Sequence, residues 1–143
     1  MAVFGIFKKL FGGSQQEPVP QKAPTVYDFN AAPVENLYCF EGTEERYFTW
    51  IFSYYFPHLE IERKTLPAGT SSCNYSDEPI VFTFSQDEKP VLVVILCHAQ
   101  EYRRACIRHT VEHYESLGIP VQRYYTNFRN DSSYVVDRMK SAL

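Results

Sequence analysis

The chain has 143 residues, 45% of them apolar and 16% aromatic, which suits one globular domain with an ordinary core and leaves little room for a second. A formal charge of −3 excludes the overall basic footprint of a non-specific nucleic-acid binder, so any such contact needs a local patch. The longest strictly apolar run, Val91 to Cys97, is far short of the roughly 20 residues a bilayer span needs.

Residues 1–13, MAVFGIFKKLFGG, set Phe4, Phe7, Leu10 and Phe11 at helical spacing beside Lys8 and Lys9, with Gly12-Gly13 as the stop. This predicts a short amphipathic segment. Its residues 4–11 are either a contact point for a membrane surface or partner, or a loosely docked terminus. Residues 14–36 carry Pro18, Pro20, Pro24 and Pro33 among polar residues and read as an extended linker, which places the domain at 37–143. Cys39, Cys73, Cys97 and Cys106 are irregularly spaced with no CxxC, and no cleavable secretory signal precedes them. The expectation is a cytoplasmic protein with reduced thiols.

GTEERYFTWIFSYYFP predicts a helix. Thr43 can cap it, Glu44 and Glu45 complement its dipole, and Pro57 ends it. Its buried face is expected to be Tyr47, Trp50, Ile51, Tyr54 and Tyr55. HLEIERKTL alternates and predicts a half-exposed strand at 58–66; PIVFTF and PVLVVILC are two more, separated by the turn SQDEK. The second of these lacks alternation and should be central, buried on both faces. EYRRACIRHTVEHYESLG predicts a second helix, closed by Gly118 as its C′ residue, that buries Tyr102, Cys106, His109, Thr110, His113 and Leu117. IPVQRYY is a strand, and NDSSYVVDRMKSAL a last helix burying Val135, Val136, Met139 and Leu143. The fold class is therefore α/β, a three-layer αβββαβ core with a mixed four-stranded sheet and a C-terminal helix.

The layout of KPVLVVILCHAQEY, YESLGIPVQRYY and SSYVVDRMKSAL resembles the restriction-endonuclease-like, or PD-(D/E)XK, nuclease fold, in particular its small very-short-patch-repair-like variants, over residues 43–143. That resemblance implies a divalent cation, magnesium, held by an Asp on the second strand and by an acidic pair two positions apart on the third, often with a helical Glu. The third-strand pair falls here on Ile95 and Cys97, neither of them a magnesium ligand, and the second strand holds no carboxylate. The acids nearest to the motif are Asp77, just before that strand, and Glu44 or Glu45 on the helix. The expectation is a catalytically degenerate core that serves as a binding or interaction module, with no cofactor. The alternative is an active metal-dependent nuclease using Glu45 and Asp77.

Three other constellations carry chemistry. Cys97 and His98 are adjacent on a strand, point to opposite faces and cannot form a dyad with each other. Cys106, His109 and His113 follow i, i+3, i+7 and suit zinc by softness, yet they lie on the face expected to pack on the sheet and lack a second tight ligand pair, so core residues are the expectation. Arg103, Arg123 and Tyr125, with Arg104, Arg108, Tyr124 and Arg129, predict a basic aromatic surface. Such a surface fits a protein partner or self-association, the favoured reading, and also phosphate contact and base stacking on nucleic acid.

Overall fold

The computed structural model describes residues 28–34, 44–66 and 78–143. The elements are helix α1 (Glu44–Tyr55), strands β1 (Glu60–Thr65), β2 (Ile80–Gln86) and β3 (Lys89–Cys97), a 3-10 turn (Ala99–Glu101), helix α2 (Ala105–Ser116), strand β4 (Val121–Tyr125) and helix α3 (Ser132–Ala142). The strands lie in the order β1-β2-β3-β4. The first three form an antiparallel meander, and β4 pairs parallel to β3 after the α2 crossover. This is the mixed four-stranded α/β arrangement expected from the sequence, C-terminal helix included. Among the described residues no helix is long and apolar enough to cross a membrane.

Two apolar layers sandwich the sheet. On one face α1 and α3 pack on Phe82, Phe84, Leu92, Val94, Leu96 and Tyr124. On the other, Ile107 of α2 packs on Val81, Val93, Ile95 and Cys97. Strand β3 contributes alternately to both layers and is buried from Leu92 to Cys97, which is why it shows no polar alternation. Strand β1 is an edge, exposed along most of its length.

The buried arc of α1 is wider than its periodicity predicts, since it takes in Phe48 and Phe52, while Tyr54 is exposed and Tyr55 half-buried. Phe52 meets Phe82 and Phe84 edge-on at 5.1 and 4.8 Å, and Phe48 lies 5.1 Å from Tyr124. A phenylalanine has no hydroxyl to satisfy, so on a helix rich in aromatics it outcompetes tyrosine for the dry sheet. Thr43, the expected cap, lies outside the described residues.

The segment 28–34, within the stretch read as linker, is docked on the domain. The Trp50 indole N–H donates to the Ala31 carbonyl at 2.8 Å, the Tyr47 hydroxyl donates to that of Val34 at 2.6 Å, and Pro33 is buried. Residues 1–27, including the amphipathic stretch 4–11, lie outside the described residues.

Helix α2 begins at Ala105, later than the pattern suggests, because His98 Nδ1 caps the 3-10 turn at Gln100 and Arg104 stays extended. Its far end matches the expectation. Gly118 adopts φ +78, its N–H donates to the Glu115 carbonyl at 2.9 Å, and the Ile119 N–H reaches back to Tyr114 at 3.0 Å, the two bonds of a Schellman cap. The β2–β3 hairpin is tighter than expected: only Asp87 and Glu88 turn, at φ 51 and 66, between paired Gln86 and Lys89. A bulge beyond Phe84 sets Ser85 opposite Pro90, which gives this proline its place within a strand.

Candidate functional site

Two concavities flank the parallel pair β3–β4. The first opens beside α1, a cleft of about 360 Å³ lined by Glu44, Glu45, Arg63, Glu78, Cys97 and His98 among others. It occupies the place where the nuclease motif is expected. Glu45 is ion-paired with Arg63 of β1. Glu44 is buried in the first turn of α1, and Glu78 is exposed just before β2. Asp77, the other catalytic candidate, lies outside the described residues. Among the described residues, no three His, Cys, Asp or Glu side chains are grouped to hold a metal ion.

The strand floor explains this. Ile95 and Cys97 are 0% and 2% exposed and pack into the apolar layer with Leu66, Val81, Val93 and Ile107. Burial, aided by the Glu101 carboxylate, pushes the Cys97 thiol up to about 12, against the opposing pull of Arg123 and Arg104. A thiol held protonated is neither a nucleophile nor a ligand. Among the described residues, the carboxylates at this cleft are not gathered into a magnesium cage, which needs several carboxylate oxygens converging on one point.

The face expected for α2 is corrected. Ile107 is its fully buried residue, with Cys106, Thr110, Val111 and Tyr114 half-buried beside it, and His109 and His113 are exposed. Imidazoles hydrate readily, so the apolar sheet selects the arc centred on Ile107 and Val111. The metal candidates are thereby divided, with two on the solvent side and Cys106 on the flank of the core.

The second concavity, about 680 Å³, runs along the outer edge of β4 between the strand, the loop after it and α3. It is lined by Arg123, Arg129 and Arg138, by Tyr124, Tyr125, Phe128 and Tyr134, and by a single carboxylate, Asp131. Of the three binding candidates, Arg123 and Tyr125 line it, and the Tyr102 ring joins Arg103 to both. The guanidinium groups of Arg103 and Arg123 lie 5.1 and 5.9 Å from its centroid, and Tyr125 meets it edge-on at 6.2 Å.

Arg138 is held in place by its surroundings. Its guanidinium lies 4.6 Å from the Tyr124 ring and 5.6 Å from the Tyr134 ring, and it donates to the Arg123 carbonyl at 3.1 Å. Tyr124 is buried, which raises the pKa of its phenol against the pull of Arg138, and its hydroxyl donates to Gln122 Oε1 at 2.7 Å. Arg129 pairs with Asp131 at 3.3 Å. Neither Arg123 nor Arg138 has a carboxylate partner among the described residues. Phe128 and Tyr134 are 52% and 50% exposed at the groove's lip.

Arg123, Tyr124, Tyr125 and Arg129 are the groove residues expected from the sequence; Phe128, Tyr134 and Arg138 join them only in the structure. A signal existed for two of them, since Tyr134 and Arg138 are i, i+4 neighbours opposite the buried stripe of the last helix. Comparison of the chain with protein-family models, with curated proteins and with solved structures yields no match.

Proposed function

We propose that the chain is a non-catalytic binding module on a degenerate restriction-endonuclease-like core, and that the groove beside β4 is its binding surface. The observation that carries this reading is the apolar burial of Ile95 and Cys97 at the positions where such an enzyme needs metal-binding side chains. The fold order and the parallel β3–β4 pair suit the same core. A protein partner or a second copy of the chain is one occupant that an arginine and tyrosine surface suits, and nucleic acid is the other.

A second reading, a metal-dependent nuclease, is favoured by the acids at the first cleft, Glu44, Glu45 and Glu78. One assay separates the two. Purified protein incubated with magnesium or manganese is expected to leave single- and double-stranded DNA and RNA uncut. Cleavage that disappears with Glu45→Gln or Asp77→Asn overturns the non-catalytic reading.

A further inference from the structure

The backbone of β4 decides which ligand the groove can take. The Val93 N–H donates to the Pro120 carbonyl at 2.9 Å and the Thr126 N–H to that of Cys97 at 3.0 Å. In a parallel ladder with Val93 opposite Val121, those two bonds turn the even-numbered residues of β4 toward β3, and the amides and carbonyls of Val121, Arg123 and Tyr125 outward. Two of the three outward carbonyls are already occupied. That of Arg123 accepts from Arg138 Nη1 at 3.1 Å and that of Tyr125 from Asn130 Nδ2 at 2.9 Å. The edge has lost acceptors and kept donors.

Strand addition by an extended peptide is disfavoured at such an edge, because two of its three outward carbonyls already accept a side-chain donor. What remains in the groove is outward N–H groups, three guanidinium groups and one carboxylate that is already paired with Arg129. This local excess of cationic donors stands out in a chain of net charge −3 and selects an anion. The half-exposed rings of Phe128 and Tyr134 at the lip add flat apolar faces. Guanidinium donors and exposed rings side by side match the two repeating chemistries of an unpaired strand, phosphate and base. A duplex hides its base faces, and a phosphopeptide has no row of flat rings to offer.

We infer that the β4 groove binds single-stranded nucleic acid, with phosphates on Arg123 and Arg129 and bases stacked on Phe128 and Tyr134. This rests on the binding-module reading and gives it a ligand class. The test is fluorescence anisotropy on the full chain with labelled oligo-dT and oligo-rU of about 12 nucleotides, within the site sizes common to such grooves. A matching duplex and a phosphotyrosyl peptide are run alongside.

Single strands are expected to bind, and more weakly as salt rises from about 50 to 200 mM. Phe128→Ala is expected to weaken binding roughly tenfold or more with the salt slope unchanged. Arg129→Gln is expected to lower that slope by about 0.7. Both side chains are exposed, and circular dichroism checks that the variants fold. The inference is overturned if single strands do not bind at the lowest salt, if both variants bind like the parent, or if the duplex or the phosphopeptide binds more tightly. The oligonucleotides are then incubated with magnesium and run on a gel. Binding followed by cleavage leaves this inference standing and overturns the non-catalytic reading, whereas tight phosphopeptide binding without cleavage does the reverse.

Discussion

At Cys97 two electrostatic effects oppose each other. Glu101 and burial favour the neutral thiol, whereas Arg123 and Arg104 favour the thiolate, and burial is the larger influence. The native thiol therefore ionises at about 12 and the unfolded one near 9.0. Its contribution to stability is present in full below the unfolded value and is lost as pH rises from 9 toward 12. Urea unfolding of the parent and of Cys97→Val at about pH 8 and pH 10.5 checks this: the parent is expected to lose more stability between the two pH values than the variant does. Alkylation at about pH 8 is likewise expected to spare Cys97 until the chain is unfolded and, of the two described cysteines, to reach the half-buried Cys106 first. That Cys97 is a core residue was legible in its unbroken apolar run. Its setting was legible only in part: Glu101 and Arg104 follow it closely, in the 3-10 turn and at the N-cap of α2, whereas Arg123 reaches it only after β4 has paired.

At the level of single elements, local chemistry and local sequence agree at the Schellman cap of α2 and disagree at the β2–β3 hairpin. Asp87 tolerates the left-handed conformation, but Glu88 at φ 66 carries a Cβ where glycine is the preferred second residue of a two-residue turn. Glu88→Gly is expected to stabilise the protein by about 1 kcal/mol, seen as a higher urea midpoint with an unchanged slope. A loss of stability would show that the side chain makes a compensating contact. Element order was readable because each segment has a clean period or a clean stop, such as the apolar run of β3, Pro57 and Gly118. Facing was less readable. Which arc of α1 and α2 is buried depends on which neighbours arrive, and in both helices the residues with a polar atom to keep wet, Tyr54, His109 and His113, gave way to Phe52, Ile107 and Val111. The groove was half-legible for the same reason. Arg123 and Arg138 are 15 residues apart and meet only when α3 packs alongside β4.

Across the whole molecule, the segment 28–34 is fastened to α1 by two side-chain donors, although the prolines and polar residues of the stretch 14–36 suggest a free linker. Trp50→Phe keeps the ring in the core and removes the N–H that holds the Ala31 carbonyl. The expected loss is about 1 kcal/mol in urea unfolding, with faster proteolysis between residues 28 and 34 while the sheet stays resistant. Equal proteolysis rates would mean that the Trp50 N–H is not needed to hold the segment. Among the described residues the sheet ends in two edges, β1 and β4, and they are protected by different means. Strand β1 carries Glu60, Glu62, Arg63 and Lys64 along its exposed length, and β4 has its outward carbonyls covered by Arg138 and Asn130. Both edges are poor templates for a neighbour's strand, so crowding this protein is not expected to seed fibrils: concentrated samples are expected to remain dispersed and thioflavin-negative for as long as the native sheet survives.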